Sequence, residues 1–220
     1  MPPERGPDER VADIVAGGRE VASEFRELEA PVTRSVVSVV VFVFVGQALA
    51  GLKTGMTIPA LVRYLFAEHA VVAWTLSPVL HYGGLHFLFN VVTIWGVGAI
   101  VEQTLSRRRY VSLLVLAAVG STAASYLAKA PFGAVQTSTY GSSGIAYAVA
   151  TYSVARESEH GVSDLQELAS TDGIARIAGM IAILLVAYDI AAGPYAAANW
   201  FNGSHLGGAV VGLVSGQYLS

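Results

Sequence analysis

Four stretches of this chain are too long and too apolar to belong to a water-facing surface. Residues 35–52 form an uncharged, valine-rich run, and residues 84–101 form a second, followed by Glu102 and then Arg107, Arg108 and Arg109. Residues 110–128 make a third, ended by Lys129 and Pro131. Residues 174–192 make a fourth, with Arg176 near its start and Asp189 near its end. A helix needs about 20 apolar residues to cross a hydrocarbon core of about 30 Å, and each run approaches that length. Two shorter runs, 143–155 and 205–219, are flanked by glycine-rich or polar sequence. No strand periodicity or fixed-length repeat competes with this pattern. The fold expected is an all-α polytopic membrane protein, a bundle of six transmembrane helices with little besides.

Composition agrees. Charged residues are 13% of the chain, roughly half the ~25% of an ordinary soluble domain. A net charge of −3, with 13 Lys and Arg scattered in small groups, argues against a nucleic-acid-binding face. The absence of cysteine removes disulfides, thiolate nucleophiles and thiolate zinc sites. Residues 1–33 differ in kind from the rest. The first 32 carry eight acids and four arginines, with Val11, Ile14, Val15, Val21, Phe25 and Leu28 at roughly helical spacing. They read as a cytoplasmic tail with a short amphipathic helix, too acidic before the first apolar run for a signal peptide. Residues 34–220 form the membrane domain.

Basic residues near the span ends set the orientation. With the N-terminus in the cytoplasm, the inner segments hold Arg5, Arg10, Arg19, Arg26, Arg34, Arg107, Arg108, Arg109, Arg156 and Arg176. The outer ones hold only Lys53, Arg63 and Lys129. Both termini are then cytoplasmic, and the second, fourth and sixth helices begin at the outer face.

The polar residues of the apolar region collect at those outer starts. His86 and Asn90 open the second helix, Ser143 the fourth and His205 the sixth. Polar groups inside a membrane are expensive and face a bundle interior or a wet cavity. From Ser143 to Arg156 a helix rises roughly 21 Å, about 9 Å short of a full crossing, so Ser143 lies below the outer boundary. Residues 132–142, rich in Gly, Ser and Thr, would be irregular backbone at membrane depth, which survives only when buried in protein or lining water. The sixth helix is similarly short.

A hydroxyl beside an imidazole is the minimum for nucleophilic acyl transfer. Gly208, Gly212 and Gly216 share a helix face with His205, and Gly144 and Ala148 are spaced i, i+4 on the fourth helix. Small residues at that spacing let membrane helices meet backbone to backbone. His86 and Asn90, also i, i+4, supply hydrogen-bond donors for an oxyanion, and the backbone N–H of Ser143 at a helix N-terminus supplies another. No carboxylate lies near His205 in sequence. The pattern therefore points to a two-residue Ser–His engine without an orienting acid. Asp189, roughly 6 Å from the outer end of its helix, reads as a solvated or snorkelling acid.

At these residues the chain resembles the rhomboid family of intramembrane serine proteases, over about residues 74 to 219. His81-Tyr82-Gly83-Gly84-Leu85-His86-Phe87-Leu88-Phe89-Asn90 resembles the family's H-x4-H-x3-N. Gly141-Ser142-Ser143-Gly144 resembles its G-x-S-G, with Tyr147 one turn on, and Ser204-His205-Leu206-Gly207-Gly208 its sixth-helix histidine motif. The resemblance implies Ser143 as nucleophile, His205 as general base and acid, and His86 and Asn90 as oxyanion donors. It implies Tyr147 stacked on the His205 ring, His81 in a structural role, and Gly141 and Gly144 as supporting positions. Residues 53–80 would be a loop lying partly in the membrane. Transmembrane proteins, cut near the outer face, would be the substrates and membrane lipids the surroundings, with no metal or cofactor. The chain departs from the family where Trp74 is followed by Thr75 instead of Arg, and where Ser106 stands for a glycine.

Each residue has a plainer reading. Ser143 alone reads as a helix N-cap, and Asn90 as an interhelical hydrogen-bonding residue. His81 and His86 as zinc ligands are disfavoured by an i, i+5 spacing that points to diverging helix faces, and no H-E-x-x-H is present. Trp200 and Phe201 read as interfacial anchors. At the level of the whole chain, the alternatives are a catalytically silent rhomboid-like protein that binds transmembrane partners, or a small transporter. A transporter would show internal repeats or broken helices in each half.

Overall fold

The computed structural model describes residue 16, residue 19 and residues 23–129, 140–156, 170–192 and 203–219. Among these residues, eight helices follow the short helical stretch 23–27. They are α1 (Pro31–Thr54), α2 (Ile58–Glu68), α3 (Ala70–Leu76), α4 (Gly84–Thr104), α5 (Arg107–Lys129), α6 (Ser143–Arg156), α7 (Thr171–Ala192) and α8 (Gly203–Tyr218). All six expected runs are helical. The expectation of little besides those six fails at 53–80, where α2 and α3 form. Thr57 caps α2 by accepting from the Ala60 N–H, Pro59 stands in its first turn, and Val62, Phe66, Ala73 and Leu80 give the pair a small core of its own. Much of the acidic tail, the span 130–139, Trp200 and Phe201 lie outside the described residues.

Helices α1, α4, α5 and α7 are long and apolar enough to cross a membrane. Their outward faces carry large apolar side chains, with Phe42 79%, Leu127 68% and Leu184 69% exposed. An apolar surface of this extent on helices long enough to span is the kind that faces lipid. The interior is made of smaller residues. Ten of the 14 residues of α6 are buried, most of them Gly, Ala, Ser or Thr, and α4, α5, α7 and α8 all pack around it. A short helix with small side chains thus becomes the axis of the bundle, since it offers close contact on every face.

Partly or fully buried polar groups fix the end of the bundle where α1 begins and α4 ends. The Glu102 carboxylate accepts from the backbone N–H groups of Val32 (2.9 Å) and Thr33 (2.8 Å), so α4 supplies the cap that Ala30 cannot give α1. A carboxylate at a helix N-terminus also meets the dipole favourably. Thr33 Oγ1 and the fully buried Tyr110 hydroxyl lie 2.8 Å apart, which ties α1 to α5. Phe25 and Leu28 of the tail rest against the main core.

Candidate active site

Helices α6 and α8 form the most extensive pair in the bundle. A Cβ added to Gly208 would strike the Gly144 carbonyl oxygen, and one added to Gly212 would strike the Ala148 carbonyl oxygen and Thr151 Oγ1. At Gly216 it would lie 2.6 Å from Ala155 Cβ. The expected glycine stripe is therefore the contact surface. The other side of α8 is equally close to α5, where a Cβ on Gly207 would meet Ala124 Cβ and the Gly120 carbonyl oxygen, each at 2.7 Å. Thr151 Oγ1 adds a bond to the Ala209 carbonyl at 3.0 Å.

This packing brings the first turns of α6 and α8 together. Ser143 is the first residue of α6 and is buried. His205 is the third of α8, one turn before Gly208, which rests on Gly144. Tyr147, one turn after Ser143 on the same face, stacks on the His205 ring with centroids 4.3 Å apart and planes 6° from parallel. The other flank of Ser143 is built by Gly141. Its φ of +135° is rare for any residue with a side chain, and a Cβ there would strike the His86 imidazole. Its N–H donates to the Ser77 carbonyl at 2.9 Å, so the segment following α3 holds the turn that opens α6.

Asn90 is buried on α4, and its Nδ2 has no protein partner among the described residues; nor has His86 Nδ1. A buried donor left unpaired costs about 1–3 kcal/mol, and such a donor suits an oxygen that arrives with substrate. The N–H of Ser143 is free of the helix's own bonds, as in any first turn.

The pair His81 and Ser142 lies beneath. His81 is fully buried. Its Nδ1 donates to the Val79 carbonyl (3.1 Å), which leaves Nε2 to accept the Ser142 hydroxyl at 3.1 Å. Burial first, and the neighbouring His86 second, push the His81 imidazole down to about 4, against the opposing pull of the Val79 carbonyl. Gln47 completes the arrangement: its Nε2 donates to the His81 carbonyl (2.9 Å) and its Oε1 accepts from the His81 N–H (3.0 Å). Gln47 belongs to no motif, and its one signal in the sequence is that of a lone amide in a valine-rich span.

Two expectations need correction. His81 and His86 do not diverge: their rings are 5.3 Å apart, because α4 begins only at Gly84 and helical spacing does not govern residue 81. Among the described residues they join no group of three His, Asp or Glu able to hold a metal. Asp189 is not a solvated acid either. Its Oδ2 lies 2.7 Å from His205 Nδ1, and the two side chains are only 26% and 18% exposed. Its neighbour in space comes from α8, which separation along the chain concealed.

Comparison with known proteins gives the family. Residues 68–220 match the family described as Rhomboid domain. The "Rhomboid protease GlpG" of Salmonella newport (strain SL254) is 29% identical over 207 residues, covering 86% of this chain and 63% of the relative. That of Salmonella paratyphi A is 28% identical over 210 residues, with the same coverage. The chain thus spans somewhat under two thirds of the length of these curated relatives.

Proposed function

Since this chain belongs to the rhomboid family and is a membrane-embedded helical protein, we propose that it is an intramembrane serine endopeptidase. Its substrates are transmembrane proteins, cleaved near the outer membrane face by Ser143 and His205. The observation that supports this most is the His205 ring stacked on Tyr147, one helical turn from Ser143, where α6 and α8 touch through Gly144 and Gly208. In this reading the chain crosses the membrane six times with both termini cytoplasmic. Helices α6 and α8 are the short crossings, at roughly 21 and 24 Å.

The chemistry follows from the groups present. The Ser143 hydroxyl passes its proton to His205 Nε2 as Oγ bonds to the scissile carbonyl carbon, and the carbonyl π pair moves to oxygen. That oxyanion accepts hydrogen bonds from Asn90 Nδ2, the His86 ring and the Ser143 N–H. The imidazolium then gives its proton to the amide nitrogen as the C–N bond breaks, and water repeats the sequence to free the acyl group. Short helices and small residues leave the pocket at a depth where water from the outer side enters.

A serine-directed phosphonate probe tests this directly. It should label the detergent-solubilised protein at Ser143, and both labelling and cleavage of a model transmembrane substrate should vanish in Ser143→Ala. Labelling that survives this substitution would place the nucleophile elsewhere, with Ser142 the first alternative.

A further inference from the structure

Asp189 is an ionisable residue inside one of the long apolar helices, α7. Such a residue is expensive there and tends to be paired for a purpose. Its partner is known: Oδ2 lies 2.7 Å from His205 Nδ1, across two helices. An ionised carboxylate accepts and never donates, so the hydrogen of this bond belongs to Nδ1. In a neutral imidazole the second nitrogen is then an acceptor, and Nε2 is the one left to face a hydroxyl. Tyr147 covers one face of the same ring at 4.3 Å. Stacking defines the plane in which the imidazole lies but is equally satisfied by the ring flipped 180° about its Cβ–Cγ bond. The bond to Asp189 removes that alternative and selects the tautomer.

We propose that Asp189 is a positioning residue for the Ser143–His205 pair, holding His205 in the Nδ1–H tautomer with Nε2 towards Ser143. The site then works as a triad assembled from α6, α8 and α7. The proposal rests on the function proposed above. Asp189 touches no substrate atom and changes no bond. While the Ser143 proton resides on Nε2, its carboxylate balances the charge of the imidazolium through the Nδ1–H bond. A consequence is that α7 must be in place for the base to be aligned, although α7 has little packing of its own against α8.

The test uses Asp189→Leu, with Asp189→Glu as the conservative variant, in the purified full chain with a model transmembrane substrate. Leucine suits a lipid-embedded helix better than aspartate, so a merely structural reading of the pair expects lost stability, whereas a positioning role expects lost turnover in a protein that melts no lower. We expect kcat to fall about 10²–10⁴-fold with KM changed by less than about twofold, and Asp189→Glu to recover part of the loss. A kcat within about threefold of the parent, or a loss confined to KM, overturns the proposal. Wild-type labelling at Ser143 by the phosphonate keeps the proposed function standing in that event; its absence sinks the function instead. An independent reading needs no Asp189 variant. In 15N spectra of histidine-labelled wild-type protein at mildly alkaline pH, the signal lost in His205→Ala should be that of the Nδ1–H tautomer. The Nε2–H tautomer at this position overturns the proposal whatever the variants do.

Discussion

Tyr147 lies flat on His205, with ring centroids 4.3 Å apart and planes 6° from parallel. The two residues belong to different helices, so the stack joins α6 to α8 at the level of Ser143, beyond the last glycine contact of the stripe. Offset aromatic pairs contribute about 0.5–1.5 kcal/mol beyond their buried area, and in the proposed mechanism that energy orients a ring that presents one nitrogen to a hydroxyl. Tyr147→Phe keeps the ring and should retain most activity. Tyr147→Ala should lower kcat by at least about tenfold, through misalignment of the base. Steady-state kinetics on the two variants separate the ring from the hydroxyl: equal losses would show that the phenol oxygen, and not the stack, matters.

Asn90 offers a buried amide nitrogen that no protein group occupies among the described residues. A donor for a developing oxyanion acts in the transition state, so Asn90→Ala should slow turnover and leave KM nearly unchanged. Loss of one such donor costs about 10²–10³ in serine proteases, and in the proposed mechanism the remaining donors, His86 and the Ser143 N–H, soften that loss. A raised KM with unchanged kcat would assign Asn90 to substrate binding or to the scaffold.

Gly212 has no room for a side chain against the Ala148 carbonyl and Thr151 Oγ1. Gly212→Val should push α8 away from α6 at a cost of about 1–3 kcal/mol. A shift near 1 Å at the reacting groups costs on the order of 10²-fold in rate. The expected protein still inserts and melts cooperatively but cleaves poorly. Val214, exposed on the same helix, supplies the control: Val214→Ala should be mild. Full activity in Gly212→Val would show that this stripe does not align His205.

His81 carries a pH dependence whose sign is fixed by its burial. Its folded value is about 4, against 6.5 for an unhindered imidazole. Above 6.5 neither state of the chain binds the proton. As pH falls from 6.5 towards 4, the unfolded chain takes up a proton that the folded one refuses, so stability declines across that window. Thermal melts of the detergent-solubilised protein should show this decline, and His81→Gln should flatten it, even if its melting point at neutral pH is lower. An unchanged acid slope in the variant would assign the decline to other groups.

How much of this was legible beforehand varies with the kind of interaction. Residues 35–52, 84–101, 110–128 and 174–192 announce helices because apolar length is a local property, and every one is helical in the structure. The glycine stripe of α8 was equally readable, since i, i+4 spacing on a helix is arithmetic. The segment 53–80 reads in sequence only as a loop. Its two short helices depend on Phe66 packing against Trp74 and Tyr140, with ring centroids 5.4 and 5.9 Å away, and such contacts between separate segments leave no periodic trace.

The amino-acid sequence by itself determined that the chain lives in a membrane, which runs become helices, and which face of α8 packs closely. Each follows from hydrophobicity and spacing over one or two dozen residues. It also put serine, histidine and asparagine at helix starts. Tertiary structure alone decided how those starts are joined. Asp189 meets His205, Gln47 holds His81 by its backbone, and Glu102 caps α1 from α4. Hydrogen bonds are directional and short, and a difference of an ångström decides whether they form. Their partners are chosen by the packing of whole helices, which apolar patterning specifies only as a face and never as an atom.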